Sequence, residues 1–236
     1  MKKKFLISLA LVVTLIFGYN LFIYVTNRIN SKIAANLKGE IYYTKRVNDV
    51  LTLFKSDANL QNEKLIYSHK GQSNDIYGGY NNNIIDFYYD GKTKTVSFIA
   101  MNNGDFSLFS LKDGEEKPTI VHKEDNMTTT DYIKNENSNI TITEKNGSIY
   151  ETINGEEKCI KKFYGVYDSE STGFRPKGLS PDGKYLIYFS FDHLTAFGVL
   201  AEGIITGSCG HNYIMDMNTG KSTRFINAYN IQWVMN

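Results

Sequence analysis

Between residues 40 and 226 the chain is a succession of short stretches in which apolar and polar residues alternate, each cut by a turn. No other feature restricts the fold as much. Alternation at period two buries one face of a strand, and Asp-Gly or Asn-Gly between two such runs suits a tight hairpin, where the backbone turns left-handed. One unit is nearly complete. Residues 84–89 read as a strand, Asp90-Gly91 as a turn, 95–100 as a second strand and Asn102-Asn103-Gly104 as a second turn. A third strand over 106–111, the turn Asp113-Gly114 and a last strand over 118–122 finish it. Pro118 suits an outer edge, where a missing N–H donor costs nothing. Four antiparallel strands in about forty residues make one propeller blade.

The same grammar returns. Residues 140–143, 148–152 and 158–163 are strands separated by Asn146-Gly147 and Asn154-Gly155, with 130–133 as the candidate first strand. Leu179-Ser180, the turn Pro181-Asp182-Gly183 and residues 184–189 open another unit, which resumes at 212–217, turns at Thr219-Gly220 and ends over 222–226. The earliest unit has strands over 40–44, 50–55 and 64–69 but no opening strand. Residues 229–234 resemble the opening of the second blade at 80–87, so the C-terminal segment is placed to supply the innermost strand of the first. That pairing would leave neither chain end with a bare edge and would put Trp233, the only Trp, in the core. The local rival is a helix over 47–54, with Val47, Val50, Leu51 and Phe54 at helical spacing. Four units are thus expected, at 40–70, 84–122, 130–163 and 179–226.

Residues 179–188, Leu-Ser-Pro-Asp-Gly-Lys-Tyr-Leu-Ile-Tyr, and the later Tyr-Ile-Met-Asp-Met-Asn-Thr-Gly-Lys over 213–221 resemble the WD40-like repeat of TolB-type β-propellers. The resemblance is good over 179–189 and 212–226, fair over 84–122 and thin elsewhere. Similar blades cover the substrate entrance of prolyl-oligopeptidase-type peptidases. The resemblance implies a fold and an interaction or accessory role, and it carries no catalytic residues. Such propellers usually have more blades than the four found here.

Ahead of the repeats, Lys2, Lys3 and Lys4 precede residues 5–25, FLISLALVVTLIFGYNLFIYV. Twenty-one residues reach about 31 Å as a helix, close to the ~30 Å hydrocarbon thickness. No charge interrupts them, and Tyr19 and Tyr24 lie where aromatic rings favour the interface. A cleaved signal peptide is the competing reading, but Ile33 stands where a cut after Ala35 would want a small residue. The order of basic start, apolar run and large polar domain favours an N-terminus in the cytoplasm. Arg28, Lys32 and Lys38 on the other side keep the charge bias slight. The expected organisation is a cytoplasmic tail over 1–4, a transmembrane anchor over 5–25, a stalk over 26–39 and an extracytoplasmic domain over 40–236. The fold class is therefore all-β, a small propeller-like array of about four antiparallel blades behind an N-terminal transmembrane helix.

Net charge is +1, with 26 Lys+Arg against 25 Asp+Glu, so no global field draws the chain to nucleic acid. Lys outnumbers Arg 22 to 4 and Asn occurs 24 times, the usage AT-rich codons of a low-GC bacterium produce. In so Asn-rich a chain the glycosylation patterns at Asn126, Asn139 and Asn146 arise by chance.

Strand direction alternates within a blade, so the loops joining second to third strands share one mouth, and loops on a rigid scaffold usually carry function. That places Arg46, Asp49, Asn102, Asn103, Lys145 and Asn146 at the mouth. It also places there the apolar, Gly-rich insertion over 191–210, with Asp192, His193 and the adjoining His211. The insertion reads equally as packing. Cys159 and Cys209, the only cysteines, read either as free thiols or as a disulfide. The four histidines lack metal spacing, no nucleotide or hydrolase motif occurs, and no cofactor is expected. The function expected is a membrane-anchored interaction module for an envelope protein or wall component, without catalysis. A hydrolase or lyase with carboxylates at the mouth, such as Asp49 with Asp192, and a sensor of a membrane partner are the alternatives. An open array would be completed by a second copy, so a homo-oligomer is allowed.

Overall fold

The computed structural model describes residues 2–26, 31–70, 83–123, 139–165, 173–190 and 210–235. The long apolar start forms helix α1, Lys2–Thr26. Its described side chains, those of residues 4–18 and 21, are exposed on every side, including Phe5, Leu11, Phe17 and Leu21. Among the described residues no helix is long and apolar enough to cross a membrane. A four-residue helix, α2 (Ser31–Ala34), follows.

Among the described residues after Gly39, all regular structure is β. The first sheet contains β1 (Glu40–Val47), β2 (Val50–Asp57) and β3 (Lys64–Tyr67). The second contains β4 (Asp86–Asp90), β5 (Thr95–Asn102), β6 (Asp105–Lys112) and β7 (Thr119–Lys123). The third contains β8 (Ile140–Lys145), β9 (Ser148–Ile153) and β10 (Glu156–Lys161). The fourth contains β11 (Phe174–Leu179), β12 (Tyr185–Ser190), β13 (His211–Asp216) and β14 (Ser222–Arg224). The last strand, β15 (Ile231–Val234), joins the first sheet, whose order is β15-β1-β2-β3. Within every sheet the described neighbours pair antiparallel, so the domain is all-β with a four-bladed, propeller-like arrangement.

The C-terminal segment supplies the innermost strand of the first sheet, as expected, with Glu40 facing Val234, Ile41 facing Trp233 and Tyr43 facing Ile231. The rival helix over 47–54 does not form. Val47 and Val50 instead flank a two-residue hairpin in which Asn48 and Asp49 take φ of 49° and 64°, the left-handed pair that a right-twisted hairpin requires. The candidate strand over 130–133 lies outside the described residues.

One expectation is corrected. The innermost strand of the fourth blade is β11, a run that did not read as strand because it contains Pro176 and Gly178. The sheet absorbs them with a bulge between those two residues. Ahead of the first strand, Leu37 is buried in the cluster that holds Trp233, Tyr185 and Ile214, and Ile33 packs against that cluster.

Three apolar clusters lock neighbouring blades. Ile41, Tyr43, Tyr185, Ile187, Ile231 and Trp233 join the first blade to the fourth. Tyr42, Leu53, Phe87, Tyr89, Phe98 and Phe109 join the first to the second. Ile149, Phe174, Leu186, Tyr188 and Met215 join the third to the fourth. Burying an aromatic or aliphatic side chain contributes about 1.5–3 kcal/mol, and offset stacking adds to it, as between Tyr42 and Tyr89 with ring centroids 4.2 Å apart. The spatial order is second, first, fourth, third, and among the described residues no apolar cluster joins the second blade to the third.

Candidate functional site

Two contacts fix which end of each blade is which. The amide of Phe174, at the start of β11, donates to the carbonyl of Gly147 in the β8–β9 hairpin at 2.9 Å. At the opposite end, a Cβ on Gly183 in the β11–β12 turn would lie 2.6 Å from Ile140 Cδ1 at the foot of β8. Strand β8 therefore runs antiparallel to β11. This sets the 145–148 hairpin at the end where β11 begins. The hairpins at 47–50 and 102–105 follow the second strands of their sheets.

The predicted site residues are placed as follows. Arg46 donates from Nε to the Tyr229 hydroxyl at 2.9 Å and from Nη1 to the Asp49 carbonyl at 2.9 Å, with its guanidinium 5.3 Å from the Tyr229 ring centroid. Asp49 thus serves through its backbone. Asn103 and Asn146 take φ of 52° and 50° at the tips of their hairpins, and Asn102 closes β5 beside the first of them. Lys145 is turned along its own blade, paired with Glu157 and 5.4 Å from the Tyr150 ring. His211 opens β13 opposite Ser190. Asp192, His193, Cys209 and the insertion over 191–209 lie outside the described residues. Cys159 is an exposed free thiol on β10. Among the described residues no hydrogen bond or ion pair joins the 47–50, 102–105 and 145–148 hairpins to one another, so of the predicted set only Arg46 and Asp49 are brought together.

What converges instead is a cluster around Tyr229, where the chain enters β15. Lys177, on β11, donates from Nζ to the Tyr229 carbonyl at 3.1 Å and sits 6.0 Å from the Phe189 ring. Burial holds its ammonium below the ordinary lysine range, the nearby Arg175 guanidinium adds to that, and Asp86 on β4 partly offsets it. Asn230 next to Tyr229 donates to the Ile85 carbonyl at 2.7 Å, tying this point to the second blade. Side chains of two blades thus meet at Tyr229, Arg46 from the first and Lys177 from the fourth, and Asn230 ties the same point to the second. Sequence reasoning missed Arg175 and Lys177 because β11 was not legible as a strand. Their spacing of two beside Leu179-Ser180 was the available signal. Among the described residues no group of three or more His, Cys, Asp or Glu could hold a metal ion. The cluster offers positive charge and hydrogen-bond donors, the chemistry of anion recognition.

No family model matches the chain, and no curated protein matches it. Among solved structures it is similar to TolB from Acinetobacter baumannii, with 15% identity and a TM-score of 0.28 over 81% of this chain and 43% of that one. It is also similar to a functionally unknown protein from Desulfotomaculum acetoxidans DSM 771, with 14% identity and a TM-score of 0.21 over 80% of this chain and 57% of that one. The chain thus spans about half the length of these structures. Similarity at this level carries no functional argument, and the propeller-like arrangement stands on the register of its own four sheets.

Proposed function

We propose that the chain is a membrane-anchored binding module that holds a propeller-like domain outside the cytoplasm and recognises an envelope protein or wall component without catalysis. The carrying observation is the convergence on Tyr229 of Arg46 from one blade with Lys177 from another. Groups from separate blades held on strand ends form a preorganised surface, and the module takes its partner there. Asp49, Asn102, Asn103, Lys145, Asn146, Asp192, His193 and His211, expected at one mouth from the sequence alone, are the further candidates for partner contact in this proposal. The test is cross-linking in intact cells followed by capture of the full chain. One envelope component enriched over a control, and lost when Arg46 and Lys177 are both replaced by Ala, supports the reading. No enriched species rejects it.

Residues 5–25 are the anchor in this reading, residues 1–4 the cytoplasmic tail and 26–39 the connection to the outer domain. Its support is the basic start and the exposed apolar side chains of α1 over residues 4–18 and 21, which no described part of the domain covers. An apolar helix surface of this kind favours lipid over water. Residues 5–25 should remain attached in the mature protein, and N-terminal sequencing that starts between 26 and 39 rejects the anchor. Protease added to intact protoplasts should degrade the domain, and full protection rejects the orientation.

A further inference from the structure

We infer that the cluster around Tyr229 is a carboxylate-binding site, and that the ligand it fits is an acidic peptide segment. This inference rests on the binding-module reading and names the chemistry of its partner.

Lys177 is the centre of the argument. Its side chain is half-buried on the innermost strand of the fourth blade, and its one hydrogen bond among the described residues goes to the Tyr229 carbonyl at 3.1 Å. An ammonium has three donors, so that bond leaves capacity for an acceptor from outside. The field around it opposes its charge, with burial first, Arg175 next, and Asp86 compensating in part. An incoming anion would relieve both unfavourable contributions at once. A carboxylate meeting a partly desolvated ammonium forms the strong, charge-assisted class of hydrogen bond. Arg46 marks the outer limit of the same place, 2.9 Å from the Tyr229 hydroxyl, with a second bond to the Asp49 carbonyl that fixes its orientation.

The aromatic ring decides between sources of negative charge. Tyr229 is 45% exposed although it lies between two cationic groups, so it presents apolar area where the anion would arrive. A peptide bearing carboxylates also bears methylenes and backbone that can cover a ring. A phosphate polymer has little apolar surface to place there. Arg46 and Lys177 stand on different blades, so the distance between them is set by the fold. That favours a ligand with spaced charges over a single small ion.

The test uses the full chain in nanodiscs of zwitterionic lipid, titrated calorimetrically with a hexaglutamate peptide. Hexaglutamine and linear polyphosphate serve as comparisons. The inference expects hexaglutamate to bind, hexaglutamine not to bind, and Lys177→Gln to weaken hexaglutamate by about tenfold or more. Lys177→Arg, which keeps the charge, should retain most of the affinity. Equal binding of hexaglutamine, tighter binding of polyphosphate, or an unchanged affinity in a folded Lys177→Gln protein each overturns it. Should Lys177→Gln lose its cooperative unfolding transition, Arg175→Gln is read in its place by the same criterion. The two readings separate in the cell. If the wild-type chain captures no envelope component, the binding module fails. If Lys177→Gln captures as much partner as wild type, only the carboxylate site fails.

Discussion

The indole Nε1–H of Trp233 donates to the carbonyl oxygen of Lys38 at 2.7 Å, so the fourth residue from the C-terminus holds the segment that leads out of α1 into the first blade. The same indole stacks on Tyr185 of the fourth blade with ring centroids 6.3 Å apart. One side chain therefore joins three things: the closing strand, the entry of the chain and the neighbouring blade.

Replacing Trp233 with Ala should accordingly cost about 3–5 kcal/mol, a large share of the ~5–15 kcal/mol that holds a domain together. Deleting residues 229–236 should do more, because it removes β15 and bares the edge of β1. Urea denaturation followed by tryptophan emission checks the substitution: native Trp233, 5% exposed, should emit blue-shifted and move to the red on unfolding. The deletion should aggregate or unfold without cooperativity. A truncated chain as stable as the parent would mean the tail contributes nothing.

Gly39 is the tightest point of the same junction. It has φ of +92°, and a Cβ there would lie 2.2 Å from the Val234 carbonyl oxygen, which belongs to backbone and cannot move aside cheaply. Gly104 has a similar φ of +87° but open space around the Cβ position. Gly39→Ala should cost roughly 3 kcal/mol or more, and Gly104→Ala about 1–2 kcal/mol from the left-handed backbone alone. Thermal unfolding of the two variants side by side measures the difference. Equal costs would show that backbone strain and not the contact with Val234 dominates at Gly39.

What the sequence made legible is the local chemistry of hairpins. Asn103, Asn146 and Asn154 all sit at positive φ, at turns that alternation and Asn-Gly pairs marked in advance. The closing strand was legible too, because residues 229–234 repeat the pattern that opens the second blade. Two things were not. Strand β11 holds Pro176 and Gly178, which argue against a strand unless the bulge between them is known, and with β11 went Arg175 and Lys177. The abundance of Asn read as codon usage, yet several asparagines stand in for backbone. Asn83 accepts from the Leu51 amide at 2.6 Å, and Asn212 donates to the carbonyls of Ile226 and Ala228. Such roles depend on partners far along the chain, which no local pattern encodes. The mouth illustrates the same limit: topology raised the hairpins to one end, but side-chain rotation sent Lys145 to Glu157 and away from the others.

Gln232 extends that theme into a prediction. Its Oε1 accepts from the Tyr89 amide at 2.6 Å and its Nε2 donates to the Tyr89 carbonyl at 2.9 Å, so one side chain replaces a strand across the seam between first and second blades. Gln232→Leu would leave both groups of the buried Tyr89 unsatisfied and should cost roughly 2–4 kcal/mol. Gln232→Glu keeps the acceptor, loses the donor and should fall in between. Hydrogen exchange of the Tyr89 amide is the direct readout: it should accelerate in the Leu variant more than the global stability change alone requires.

The last prediction concerns acid. His69 is 8% exposed, packed with ring centroids 5.2 Å from Phe109 and 6.5 Å from Phe98, with Nε2 2.7 Å from the Met101 carbonyl. A carbonyl only accepts, so Nε2 carries the proton, and Nδ1 has no hydrogen-bond partner among the described residues. Burial pushes the imidazolium below the ordinary histidine range, against a smaller opposing effect from the Met101 carbonyl. The unfolded chain titrates near the ordinary histidine value of about 6.5. Between that value and the lower folded one the unfolded chain binds the extra proton, so stability is full above the unfolded value and falls as pH drops toward the folded one. The depressed carboxyls of Glu63, Asp90 and Asp182 act in the same direction, but below the ordinary carboxylate range, so the window from pH 7 to pH 5 isolates histidine. His69→Gln retains a donor for Met101 and cannot titrate. Chemical denaturation at pH 7.5 and pH 5 should therefore show a smaller loss of stability in His69→Gln than in the parent. An identical loss in both would show that His69 does not carry the acid sensitivity.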